Sequence, residues 1–121
     1  DVLRYMGKFS PGAFMRFINR IKKNKAGRFR LRPYFIAGHP GETEEANSRL
    51  VSFLRKNPMD TRAVQVFVPT PMTLSTAYYA SGKDLDGAAV HIPSPGEAES
   101  FKRNILKAGL FTGHVGNKKK R

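Results

Sequence analysis

The sequence contains no cysteine. That removes disulfides, thiolate zinc sites, cysteine nucleophiles and cysteine-held iron–sulfur clusters from anything the chain does alone. Acidic residues are scarce, nine against 22 lysines and arginines, which leaves a net charge of +13. Long apolar runs are missing too. None approaches the roughly 20 residues needed to cross a bilayer, and Asp1-Val2-Leu3-Arg4-Tyr5 has no signal-peptide pattern. A cytoplasmic location is the expectation. There is no internal repeat. At 121 residues and 40% hydrophobic content, the chain is that of at most one globular domain.

The positive charge attracts nucleic acid, acidic membranes or anionic ligands without choosing among them. It is concentrated in Arg20, Lys22, Lys23, Lys25, Arg28, Arg30 and Arg32, and in the tail Lys118-Lys119-Lys120-Arg121. The tail follows Gly113 and Gly116-Asn117 and has no apolar partner, so a disordered end is expected. The basic segments read either as solvated faces or as a nucleic-acid surface.

The first helix is expected from Pro11 to about Lys25. Ser10 can cap it, Pro11 suits the first turn, and Phe14, Phe17, Ile18 and Ile21 form one apolar stripe. Arg16, Asn19, Arg20 and Lys23 fall on the opposite side. Gly27 marks its end. A strand over Leu31–Ala37 follows, and its unbroken run Tyr34-Phe35-Ile36-Ala37 suits burial on both faces of a parallel sheet. Pro33 belongs at the strand entrance.

The turn Gly38-His39-Pro40-Gly41-Glu42-Thr43 leads into a helix from about Glu44 to Lys56. Thr43 can cap it, and Glu44 and Glu45 suit the positive end of its dipole. Ala46, Leu50, Val51 and Leu54 face inward with Phe53 at the border, and Asn57-Pro58 stops the helix. Ala63–Val68 is the second strand, ended by Pro69-Thr70-Pro71, and the two strands should lie parallel. Met72–Tyr79 admits a short helix, and Val90-His91-Ile92 a short extended piece. Ser94-Pro95-Gly96-Glu97 reads as a capping box opening a last helix, with Ala98, Phe101, Ile105 and Leu106 inward and Gly109 as its stop. Two strands make an incomplete sheet, so a piece of something larger is expected.

Ligands of open parallel α/β folds and of barrels bind at the carboxyl ends of the strands, here Gly38–Thr43 and Pro69–Thr76. Gly38 would let a ligand approach the backbone, Gly41 can take a positive φ, and the helix after Thr43 offers free N–H groups. A structural strand-to-helix turn accounts for the same residues. His39 reads as a packed or hydrogen-bonded residue more readily than as a catalyst. Glu42 could receive a ligand amine or simply favour the helix start. His91 and His114 have no metal-ligand spacing. Tyr78 and Tyr79 could stack a base, or form a packing pair with one side in and one out.

Pro33-Tyr34-Phe35-Ile36-Ala37-Gly38-His39-Pro40-Gly41-Glu42-Thr43 resembles the later part of radical SAM enzymes, many of which carry I-x-G-x-P-G-E-T at a strand-to-helix turn. The match is closer to the YgiQ-type radical SAM family, with its order V-L-x-x-M-x-K, P-Y-x-I-x-x-H-P-G and V-Q-x-F-x-P-T-P-x-T. Here those blocks read Val2–Lys8, Pro33–Gly41 and Val64–Thr73, and Ala77-Tyr78-Tyr79-Ala80-Ser81-Gly82 resembles a following A-x-Y-Y-x-G with shifted spacing. The resemblance covers roughly residues 1–108.

It implies an α/β fold, the C-terminal portion of a partial (β/α) barrel over 1–76. A C-terminal extension over 77–113 would hold a helix near 95–108, and 114–121 would be the basic tail. It also implies that the full-length parent uses a [4Fe–4S] cluster and S-adenosylmethionine to form a 5′-deoxyadenosyl radical. Ile36, Gly38, His39 and Gly41 would then be cofactor-binding residues beside the adenine. The cysteine loop of that family is absent, so no cofactor is expected to bind stably to this chain and no catalysis is expected from it alone. Its partner would be the upstream half of the same polypeptide. The alternative is a nucleic-acid-binding module using Arg16, Arg20 and Lys23.

Overall fold

The computed structural model describes residues 2–23 and 32–110. The expectations for Lys25, Gly27, Arg28, Arg30, Leu31, His114 and the basic tail fall outside them. In chain order the elements are α1 (Val2–Tyr5), α2 (Pro11–Lys23), β1 (Phe35–Ala37), α3 (Glu44–Lys56), β2 (Val64–Val66), α4 (Leu74–Ser81) and α5 (Pro95–Leu110). This is an α/β arrangement of two parallel strands joined by a helix, as the sequence predicts.

The register pairs Phe35 with Val64, Ile36 with Gln65 and Ala37 with Val66. Phe35 N–H donates to Ala63 O at 2.8 Å and Phe67 N–H to Ala37 O at 2.7 Å, which closes the ladder at both ends. Alternation puts Phe35, Ala37, Val64 and Val66 on one face. There Ala37 joins Leu54 of α3 and Phe101, Ile105 and Ala108 of α5 in the buried core, with Phe35, Leu50, Val51, Phe53, Met59 and Val64 packed around them. Burying a leucine such as Leu54, 1% exposed, contributes about 1.5–3 kcal/mol.

The caps explain the helix limits. Thr43 Oγ1 accepts from Ala46 N–H at 3.1 Å. Asn57 closes α3 by donating both its backbone and side-chain N–H groups to Phe53 O, at 2.9 and 3.0 Å. Ser10 Oγ accepts from Ala13 N–H at 3.3 Å and opens α2. The capping box of α5 is reciprocal: Ser94 N–H donates to Glu97 Oε2 at 2.8 Å and Glu97 N–H to Ser94 Oγ at 3.3 Å.

Several expectations are corrected. Both strands are three residues long, shorter than the apolar runs that contain them, and Tyr34 and Val68 beyond their ends are 60% and 67% exposed. The first strand is not buried on both faces. α3 and α5 cover the same side, and across from them Ile36 is half-buried and Gln65 exposed. In α2 only Ile18 of the predicted stripe is fully buried, while Phe17 is 56% exposed. Gly109 does not stop α5, which runs through it to Leu110. A Cβ at Gly109 would overlap the Thr61 side chain, so this glycine serves a close contact instead of a cap. Val90-His91-Ile92 lies outside the two-stranded sheet, and the nearby pairing is a single bridge between Lys83 and Ala89. The short helix α1 has no counterpart in the sequence reading.

Candidate functional site at the carboxyl ends of the strands

The turn after β1 is built by its own side chains. Gly38 takes φ 75° and Gly41 φ 88°, left-handed values that favour glycine. Glu42, 4% exposed, folds back under the turn. Its Oε2 accepts from Gly38 N–H at 2.6 Å and its Oε1 from Asn47 Nδ2 at 3.1 Å. Asn47, also buried, in turn accepts from Asn104 Nδ2 of α5 at 3.1 Å through its own Oδ1. One carboxylate thus ties the end of β1 to the first turn of α3, and Asn47 extends the link to α5. Burial pushes the Glu42 carboxyl above its ordinary range, against the opposing pull of its hydrogen bonds from Asn47, Gly38 and His39. With both oxygens turned inward, Glu42 does not offer itself to an amine from outside; it supports the helix start through Asn47, while Thr43 supplies the cap.

The two glycines permit close approach, and the chain itself uses it. A Cβ at Gly38 would overlap the Ala98 side chain of α5, and one at Gly41 would overlap the Tyr5 ring. Tyr5 also packs edge-on against Tyr78, with ring centroids 5.5 Å apart. Gly41 N–H donates to His91 O at 2.7 Å. Gly38 and Gly41 are therefore places where α5 and α1 seat against the turn.

His39 is 1% exposed. Its Nδ1 lies 2.8 Å from Pro40 O and its Nε2 2.7 Å from Ser75 Oγ in the first turn of α4. Phe67 meets the imidazole edge-on at a centroid distance of 5.1 Å. Burial lowers the His39 pKa, although the Pro40 carbonyl works the other way. His39 is a packed and hydrogen-bonded residue, and the contact with Ser75 is one that the sequence does not reveal.

The second strand end runs more openly. Val68 is exposed, Met72 is fully exposed at φ 65°, and Thr73 caps α4 by accepting from Thr76 N–H at 3.3 Å. Tyr78 is buried and Tyr79 44% exposed, the in-and-out packing pair. Of the residues singled out from the sequence, Gly38, His39 and Gly41 meet in this turn, and Ile36 stands just before it on the sheet face away from α3 and α5. Arg16, Arg20 and Lys23 lie apart from it, exposed on α2. His91 sits 3.4 Å from Glu97 and joins no metal set; among the described residues no cluster of three or more His, Cys, Asp or Glu could hold a metal ion. No helix among them is long and apolar enough to cross a membrane.

Sequence reasoning missed Asn47, Asn104 and Ser75. Asn47 had left a signal, because it precedes Leu50, Val51 and Leu54 at helical spacing and so occupies the inward stripe.

Comparison with known proteins places the chain beside long bacterial relatives. It is 36% identical over 110 residues to a protein of Geobacter sulfurreducens, covering 88% of this chain and 18% of that protein. Its homologues are UPF0313 proteins. The UPF0313 protein of Thermotoga maritima is 35% identical over 124 residues, covering 98% of this chain and 21% of its own length. That of Pseudomonas aeruginosa is 42% identical over 82 residues, covering 65% of this chain and 11% of the relative. The chain thus spans between about a tenth and about a fifth of the UPF0313 proteins it matches. No family model matches it, and no solved structure matches it significantly.

Proposed function

We propose that this chain is the late βαβ portion of a radical SAM-type enzyme, and that the carboxyl edge of β1 forms the adenine side of its S-adenosylmethionine pocket. The observation that carries the reading is Ile36, half-buried on the sheet face away from α3 and α5, two residues before a glycine turn at the ends of parallel strands. The YgiQ-type order of motifs and the UPF0313 homologues support it, as does the small share of those relatives that the chain spans.

The fit differs between the two cofactors. The chain has no thiolate, so an iron–sulfur cluster does not fit its donor set. In the full-length parent other residues would hold the [4Fe–4S] cluster, which would supply the electron for reductive cleavage of S-adenosylmethionine. For the adenine, the α-carbon faces of Gly38 and Gly41 are already filled by Ala98 and Tyr5. The base would therefore meet the Ile36 side chain and the backbone of Gly38 and His39. Glu42 holds that backbone in place, and His39 contributes through its main chain, since its ring is buried. Alone, the chain binds no cofactor stably and catalyses nothing of this kind. Its partner is the remainder of the longer polypeptide, with the cytoplasm as its compartment.

The test uses a longer polypeptide that carries this sequence together with a cysteine loop. It should be brown and should form 5′-deoxyadenosine from S-adenosylmethionine under reduction. Ile36→Asp within it should weaken S-adenosylmethionine binding by about tenfold or more, the effect of roughly 1.4 kcal/mol, as measured by equilibrium dialysis. A colourless, cluster-free protein, or unchanged affinity in the variant, would sink the proposal.

A second reading rests on the exposed aromatic in α2. Exposed Phe17 borders the face of α2 that carries exposed Arg16, Arg20 and Lys23, and a stackable ring at the edge of a row of cations suits single-stranded nucleic acid. Such binding should weaken steeply with salt. No affinity for oligonucleotides at low ionic strength would remove it.

A further inference from the structure

We propose that Ser75 and His39 form a nucleophile–base pair, in which Ser75 Oγ takes up an acyl or phosphonyl group from an activated electrophile. The geometry fixes the direction of each hydrogen bond. Pro40 O can only accept, so His39 Nδ1, 2.8 Å away, carries the proton. In the neutral ring Nε2 is then a bare acceptor, and the Ser75 hydroxyl 2.7 Å from it must donate. This is the arrangement of an activated serine, a hydroxyl donating to a base whose other nitrogen is held by a third group. Here a backbone carbonyl takes the place of the usual carboxylate.

Three further features fit the assignment. The imidazole is 1% exposed and packed edge-on with Phe67, so its surroundings support the orientation that faces the serine. Burial favours its neutral, proton-accepting form. Ser75 itself is only half-buried, and it stands in the first turn of α4, behind the Thr73 cap. The N–H groups of Leu74 and Ser75 precede any helical acceptor and are suited to a developing oxyanion. In the reaction, a bond forms from Ser75 Oγ to the acyl carbon or to phosphorus. The hydroxyl proton passes to His39 Nε2, the bond to the leaving group breaks, and that group departs with the proton. The pair needs neither S-adenosylmethionine nor a cluster, so this inference stands or falls independently of the function proposed above.

The experiment incubates the 121-residue chain with a fluorophosphonate and locates the adduct by peptide mass spectrometry. The expected result is one phosphonyl group, on Ser75, with fluoride released. Ser75→Ala should abolish it, and His39→Gln should slow it by about 10² or more, the usual contribution of a general base. Should His39→Gln fail to fold, as circular dichroism would reveal, the wild-type chain in urea supplies the second comparison. Ser75 in the folded protein should react about 10² times faster than in the unfolded one. Labelling of Ser75 no faster than in the unfolded chain, or equally fast in a folded His39→Gln variant, would overturn the assignment and leave the contact as a tie between α4 and the turn.

Discussion

Replacing Gly38 with alanine should damage the fold for two separable reasons, and a second substitution can tell them apart. The first is conformational. At φ 75° an alanine takes on the left-handed penalty of about 1–2 kcal/mol. The second is steric, because the new Cβ would overlap Ala98 of α5, and overpacking of this kind costs about 1–3 kcal/mol. Gly38→Ala should therefore lose roughly 2–5 kcal/mol in total. Ala98→Gly costs about 1 kcal/mol of helix propensity and about 0.8 kcal/mol for the buried methyl. It also removes the atom that obstructs Cβ at position 38. The double variant should then be more stable than the sum of the single changes by about 1–2 kcal/mol, less than the whole steric cost because the Ala98 Cα would still lie 3.2 Å from the new Cβ. Urea denaturation of the four proteins measures the cycle. Additivity within about 0.5 kcal/mol would refute the claim that α5 seats on Gly38.

Glu42→Gln should change how stability depends on pH. Burial raises the folded-state pKa of Glu42 above its ordinary 4.5, so its protonated form is the better tolerated one in the folded chain. The wild type should lose stability relative to the variant as pH rises from about 4.5 through the raised value; urea midpoints at a series of pH values report this, and a constant difference would count against it. Leu54→Ala, at a site 1% exposed between α3 and α5, should cost about 2–5 kcal/mol by the same denaturation measurement. A loss under about 1 kcal/mol would mean that the two helices do not share a core there.

Much of the fold is legible in the sequence where a local rule decides. Thr43, Asn57, Ser10 and the Ser94–Glu97 box each act through their nearest backbone groups, so the helix ends they set could be read directly. The strands were harder, because an apolar run does not say how far a partner extends. Tyr34 and Val68 belong to the runs yet lie outside the ladder. The glycines show the same limit. Gly38, Gly41 and Gly109 all stood out, and each serves a contact with a residue remote in sequence: Ala98, Tyr5 and Thr61. The candidate site was legible as a place, the edge that holds Gly38, His39 and Gly41. Its wiring was not. Glu42 to Asn47 to Asn104, and His39 to Ser75, join residues whose spacing follows no local period.

The link from Asn47 to Asn104 spans 57 positions, and an expected order of folding follows from that length. β1, α3 and β2 can meet early, since little chain separates them. The glycine turn gains its full set of contacts only once α5 has been formed and docked, after a far longer loop has closed. A polypeptide halted before α5 would carry every residue of the motif that first draws attention. It would still lack Ala98 against Gly38 and Asn104 behind Asn47. The edge that holds Gly38, His39 and Gly41 is thus expected to complete its contacts only after α5 has docked.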